Sequence, residues 1–175
     1  AAFFPEDGEF LDQIQSNLFY ALDHAKLTNT DDVVFYSKEL FAQKKYMTRL
    51  KEAIRECVEE DCKGFRIVMQ PIVETKSEVC DAAEVLLRFT HPEFGVIGPM
   101  DFIPILENSK EIIRVGKWVI DQSLQTLARW REQIGHMPLK RLQINVSYVQ
   151  FKDPELLGYV VERLDHYQLP HDAVM

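Results

Sequence analysis

From residue 65 onward the hydrophobic pattern keeps changing its period, and a chain that does this has few ways to fold. The stretches "FRIVMQPIV", "AAEVLLRFT" and "RLQINVS" are rich in β-branched residues and either alternate or run apolar, as strands do. A Gly- and Pro-rich loop follows the second of them. Between about Asp101 and Gln133, by contrast, Ile112, Val115, Val119, Leu127 and Trp130 recur at helical spacing and form a broad stripe able to cover a sheet. The closing "DPELLGYVVERLDHYQLP" spaces Leu156, Val160 and Leu164 four apart behind an Asp cap and a first-turn proline, which predicts another helix. Strands and helices in alternation predict an α/β fold, either a parallel sheet or a (β/α) barrel.

Two of these strands carry polar residues on one face only. Successive strand side chains point to opposite faces, so Glu84, Leu86 and Arg88 share one face and Ala83, Val85 and Leu87 the other. In the same way Gln143, Asn145 and Ser147 face one way, and Leu142, Ile144 and Val146 the other. Two readings of Glu84 are open at this point. It forms a self-neutralising pair with Arg88 inside a core strand, or it holds a metal ion while Arg88 holds an anion, since an acid and a base converging from a strand end suit both tasks.

Charge and cysteine content narrow the classes of partner. A formal charge of -8 argues against DNA, RNA or an anionic membrane as a general partner, while leaving room for one small phosphate-binding pocket lined by local basic residues. Cys57, Cys62 and Cys80 have neither the spacing nor the histidine companions of a zinc site, and they read as reduced thiols of a cytoplasmic protein. No apolar run approaches the roughly 20 residues that span a bilayer, so any membrane anchor would lie outside this chain.

The first part of the chain has a different organisation. "AAFFPEDGEF" predicts a short strand closed by a Pro-Glu-Asp-Gly turn. Leu11, Ile14, Leu18, Ala21, Leu22 and Ala25 then build a helical stripe that ends near Lys26, before "TNTDD", and "VVFYS" predicts a compact strand. From Ser37, Leu40, Met47 and Ile54 fall seven apart with Leu50 and Cys57 between them, a pattern that fits either an amphipathic surface helix or a signalling linker between domains. The predicted organisation is therefore residues 1–36 as the end of one domain, 37–62 as a linker helix and 63–175 as part of a second.

The motifs "VMQPIV", "AAEVLLRFTHPEFGVIGPMDFIPILENS", "VGKWVIDQSLQTLARW" and "LQINVS", in this order, resemble the first half of an EAL domain. The resemblance runs from about Phe65 to Met175. The upstream "AAFFPEDG", "ALDHAK" and "VVFYS" are similar to the last strand, helix and strand of a GGDEF domain, although the glycine usual after the Ala-x-x-Ala-Lys segment is missing from "LTNTDD". The resemblance implies a partial EAL-type (β/α) barrel behind a GGDEF-like end and a linker helix. It also implies hydrolysis of cyclic di-GMP to linear pGpG with Mg2+ or Mn2+ as cofactor.

Carried over by position, Glu84 and Asn145 match metal ligands, Arg88 matches the arginine that clamps the phosphate, and Gln70, Leu86 and Asp101 match positions lining the dinucleotide pocket. The signature reads Glu-Val-Leu in place of Glu-Ala-Leu, with the changed residue facing away from Glu84. The family's later motifs, including a second metal-binding glutamate, paired aspartates and a lysine, do not occur in these residues, and a full barrel takes about 250 residues. The expectation is a truncated piece, inactive alone, that self-associates through the linker helix or an open barrel edge. The alternative to a phosphodiesterase parent is a catalytically silent EAL domain that acts as a cyclic di-GMP receptor or a regulatory interaction module.

Overall fold

The structure, a computed structural model, describes residues 1–28 and 32–175. It divides into two compact units, Ala1–Glu52 and Ala53–Met175, with the division falling inside a helix.

In the first unit α1 (Leu11–Thr28) carries Asp12 in its first turn and Lys26 in its last, each placed favourably for the helix dipole. The two flanking strands expected at residues 1–4 and 33–36 are not formed. Instead the Ala1 ammonium donates to the Val34 carbonyl at 2.5 Å, the Tyr36 N–H donates to the Ala1 carbonyl at 2.7 Å, and Phe3 stacks on Phe35 at 5.2 Å. Contact through a single terminal residue is too short to build a ladder. The two expected strands are therefore corrected to segments that form no strand on either side of α1. The turn segment "TNTDD" includes residues 29–31, which lie outside the described residues, as does the side chain of Leu40. Helix α2 (Lys38–Glu59) follows.

The second unit holds the sheet. Of the seven-residue seam on α2, Ile54 and Cys57 fall in this unit and both are buried. A turn through Asp61, Cys62 and Gly64, all at positive φ, leads into β1 (Phe65–Val73). Strand β2 (Cys80–His91) runs antiparallel to β1 along almost its whole length, from Phe65 opposite Phe89 to Val73 opposite Cys80. This corrects the parallel pairing expected from the strand and helix alternation. The turn 74–79 joining the two strands is short, and a connection of that length can only reverse the chain, because parallel neighbours need a crossover of a dozen residues or more.

The parallel part comes next. The Gly- and Pro-rich loop contains a short strand, β3 (Gly95–Ile97), antiparallel to the end of β2. The long helical region is two helices, α3 (Pro99–Ser109) and α4 (Ile112–Ile134), broken at Lys110, which adopts the left-handed conformation and donates its N–H to Glu107. Strand β4 (Arg141–Ile144) then pairs parallel with Ala82–Val85 of β2, completing one right-sized crossover. After α5 (Tyr148–Phe151) and α6 (Leu156–His166), the chain returns to β4: Leu142 bridges Val174 in parallel, and the Met175 N–H donates to the Leu142 carbonyl at 2.8 Å. Helix α6 begins after the expected Asp153 cap, whose carboxylate accepts from the Glu155 N–H at 3.1 Å in a local turn.

The core lies between the sheet and α3 and α4. Phe65, Phe89 and Phe102 meet with ring centroids 4.3 to 6.0 Å apart, and Val115, Leu124 and Leu127 of α4 are fully buried. Ala83, Val85 and Phe89 of β2 are buried on this side, which leaves the opposite face of β2 to carry Glu84, Leu86 and Arg88.

Candidate functional site

Register alone assembles a polar row across three strands. Gln70 of β1 lies directly opposite Glu84, and Glu84 lies beside Gln143 of β4. Residues paired in register share a face, so Gln70, Glu84 and Gln143 project together, with Asn145 one pleat beyond Gln143. The site is therefore built on rigid strands and takes its spacing from the hydrogen-bond ladder.

Asn145 and Glu84 meet. The Asn145 Nδ2 donates to Glu84 Oε1 at 2.7 Å, although the two residues are 61 apart in sequence. This excludes the self-neutralising reading of Glu84: no ion pair joins it to Arg88, whose Nη1 instead donates to the Leu87 carbonyl at 2.9 Å. Asn145 follows the last paired residue of β4, and the chain there is fixed by a capping box on α5. The Ser147 hydroxyl accepts from the Gln150 N–H at 3.3 Å, and Gln150 Oε1 accepts from the Ser147 N–H at 3.0 Å.

A carboxylate and an amide oxygen are the hard donors that Mg2+ and Mn2+ take. The donor chemistry of Glu84 and Asn145 fits such an ion once the amide turns its oxygen inward. Among the described residues no group of three or more His, Cys, Asp or Glu side chains gathers to hold a metal.

Leu86, Arg88 and Asn145 border a cavity of about 390 Å3 that reaches to the helix side of the sheet, where Val85, Leu87, Val115, Gly116 and Gln150 line it, with Glu107 contributed by α3. Its origin is a gap in the sheet. On the edge of β2 away from β1, β4 pairs only as far as Val85 and β3 begins at Phe89, so Leu86 to Arg88 lack a strand neighbour there. The Leu87 carbonyl exposed by this gap is the one that Arg88 binds. The wall is largely apolar, and its polar groups are the Arg88 guanidinium, the Glu107 carboxylate, the Ser147 hydroxyl and the amides of Asn145 and Gln150.

Five of the six expected site residues are thus brought together on the sheet: Gln70, Glu84, Leu86, Arg88 and Asn145. Asp101 is separate, exposed in the first turn of α3 and outside the cavity lining. The structure adds residues that sequence reasoning passed over. Arg66 lies directly opposite Arg88, so two guanidinium groups stand on the face of Glu84. The alternation in "FRIVMQ" carries that signal, since Arg66 is four residues before Gln70. Glu107 joins the cavity from α3, a contact that only the helix packing reveals.

Two histidines make local contacts. His91 Nδ1 accepts from the Glu93 N–H at 3.2 Å, and His171 pairs with Asp165 at 2.8 Å. The three cysteines are free thiols. Burial pushes the Cys62 thiol up to about 11, far from a reactive thiolate. Among the described residues no helix is long and apolar enough to cross a membrane.

Comparison with known proteins extends this geometry. The profile of the EAL domain matches residues 48–175. MucR of Pseudomonas aeruginosa, a bifunctional diguanylate cyclase/cyclic di-GMP phosphodiesterase, is 27% identical over 168 residues, which cover 96% of this chain and 24% of MucR. A cyclic di-GMP phosphodiesterase of the same organism is 32% identical over 111 residues, 63% of this chain and 18% of that protein. Among solved structures, the PaMucR phosphodiesterase in complex with c-di-GMP superposes with a TM-score of 0.65 at 27% identity, over 72% of this chain and 49% of that one. The chain spans about a quarter or less of the length of these curated relatives.

Proposed function

The chain belongs to the EAL domain family, and from that membership we propose that it is part of a metal-dependent phosphodiesterase that hydrolyses cyclic di-GMP to linear pGpG. The observation that carries this reading is the meeting of Asn145 and Glu84 at 2.7 Å beside the cavity lined by Arg88. Two hard donors from separate strands converge next to a guanidinium, which is what a phosphodiester held against a cation needs.

In this reading Glu84 and Asn145 hold a divalent cation, Mg2+ or Mn2+, which when bound polarises the phosphoryl group and activates water. Arg88 leaves the Leu87 carbonyl to take a phosphate oxygen, exchanging a neutral acceptor for a charged one. Leu86 packs against a base in the cavity. Gln70 borders the ligand from β1, and Asp101 offers a carboxylate to a guanine edge when α3 and the ligand approach one another. Val85, the altered signature residue, is buried on the helix side, where it forms part of the apolar wall of the cavity.

A receptor function is the second reading, favoured by the same contact: Asn145 already satisfies Glu84 by hydrogen bonding, so the face is stable with no cation on it. The expected GGDEF-like character of residues 1–36, a linker role for residues 37–62 and a cytoplasmic location complete the proposal, with α2 carrying signals between domains. Self-association of this chain, through α2 or the edge of β1, belongs to it too. On that edge β1 has no strand neighbour among the described residues.

Binding of fluorescent cyclic di-GMP, measured by anisotropy across a Mn2+ titration, tests the proposal. Wild type is expected to bind more tightly as Mn2+ rises, and Glu84→Gln to lose that dependence. Metal-independent binding equal in both proteins would favour the receptor, and absence of binding in wild type would remove both readings.

A further inference from the structure

Helix α4 contains a glycine, Gly116, in its buried interior, where glycine costs about 1 kcal/mol relative to alanine. The structure supplies a reason. A Cβ built on Gly116 would overlap Gln150 Nε2 and come within 2.9 Å of Gln150 Cδ. The missing side chain is the notch into which Gln150 of α5 inserts.

Gln150 is one of only two buried polar or charged residues among those described, at 5% exposure. A glutamine is expensive to bury unless it is bonded, and the side-chain oxygen of this one is: Oε1 accepts from the Ser147 N–H at 3.0 Å, while the Gln150 backbone N–H donates to the Ser147 hydroxyl at 3.3 Å. The reciprocal pair fixes the backbone of Ser147, two residues beyond Asn145. From the other side, β4 ends at Ile144, whose N–H donates to the Met175 carbonyl at 3.0 Å. Asn145 and Val146 are the short span between these two clamps.

We propose that Gly116 and Gln150 are positioning residues that hold Asn145 against Glu84. The chain of contacts runs from the notch on α4, through the Gln150 side chain and the Ser147 backbone, to the Asn145 amide 2.7 Å from Glu84 Oε1. Helix α4 thereby sets the geometry of a donor on the sheet, while Gly116 and Gln150 themselves stand in the wall of the cavity that Asn145 borders. This rests on the proposed role of Glu84 and Asn145 as cation donors. The lock itself is a statement about where the Asn145 amide sits.

Two variants test it. Gln150→Met keeps an unbranched side chain that fills the notch but cannot accept from Ser147. Gly116→Ala closes the notch and expels Gln150. The side-chain amide resonances of Asn145, assigned in 15N-labelled protein by their loss in Asn145→Asp, are the readout. The backbone amides of Phe89 and Leu142 report that the sheet is intact.

In Gln150→Met the Asn145 resonances are expected to move to the position of an amide without its Glu84 partner, as measured in Glu84→Gln, while Phe89 and Leu142 stay in place. Mn2+ affinity should fall roughly tenfold, the lower end of what losing a ligand-orienting contact costs. Gly116→Ala should behave alike where it folds, and Gln150→Met decides the matter where it does not. Unmoved Asn145 resonances in Gln150→Met would overturn the proposal. Should wild type bind no Mn2+, the cation role fails, and the amide resonances still decide whether the lock exists.

Discussion

Glu84 and Asn145 show how a residue's role depends on its neighbours. Replacing the Asn145 amide with a carboxylate puts two acids within hydrogen-bond distance, and each then resists ionisation of the other. Asn145→Asp is expected to cost about 1 kcal/mol of stability at pH 8, a modest value because the site is partly open to solvent. It should cost less at pH 5, where one carboxyl can stay protonated, and Mn2+ should restore the loss. Thermal melts at the two pH values, with and without Mn2+, check this; a loss independent of both would separate Asn145 from the cation.

Cys62 makes a second prediction at the same scale. Its buried thiol ionises near 11 against an ordinary value of 9.0, so between these values the unfolded chain loses a proton that the folded chain keeps. Stability from this group is whole below pH 9 and declines as pH rises toward 11. Urea melts of wild type and Cys62→Ala should show a steeper alkaline decline in wild type, the remainder in the variant coming from Cys57, whose thiol is also pushed up by burial. In alkylation at pH 8 the exposed Cys80 should react first, leaving the buried Cys57 and Cys62 unmodified.

At the scale of elements, the entry into β1 depends on Gly64. Its φ of +82° is one that other residues rarely adopt, and a Cβ there would lie 2.5 Å from the Thr90 carbonyl oxygen of β2. Gly64→Ala should therefore destabilise the unit by about 2 kcal/mol or more, combining strain with a backbone clash. A change in denaturation midpoint below about 0.5 kcal/mol would contradict the close approach of these strands. Elements of this kind were unevenly legible in the sequence. The strands of Gln70, Glu84 and Asn145 were readable because alternation marks their faces, and the α4 stripe because helical spacing does. The antiparallel sense of β1 was not, since a strand's direction leaves no trace in its own period. The break at Lys110 was hidden because lysine does not announce a left-handed turn. The expected strands at 1–4 and 33–36 had suitable residues but lacked a partner long enough to form a ladder.

For the whole molecule, the site was legible in kind and not in assembly. The residues of one strand face were evident, yet the meeting of Glu84 with Asn145 depends on β4 docking beside β2, a consequence of the crossover through α3 and α4. Arg66, Glu107 and the insertion of Gln150 beside Gly116 came from register and packing alone. On the proposed reading, this chain by itself is expected to make no linear product from cyclic di-GMP under Mg2+ or Mn2+, because among the described residues no group of three or more His, Cys, Asp or Glu side chains gathers to hold a metal. Product detected by chromatography would reverse that expectation.

Binding and hydrolysis can thus be separated, and binding tests the site most directly. Cyclic di-GMP should be titrated by calorimetry into wild type and Arg88→Ala in the presence of Mn2+. Losing one charge-assisted contact to a phosphate is worth about 1.5–3 kcal/mol, so Arg88→Ala should bind roughly 10- to 100-fold more weakly. Equal affinity in the two proteins would contradict the assignment of this sheet face as the ligand site.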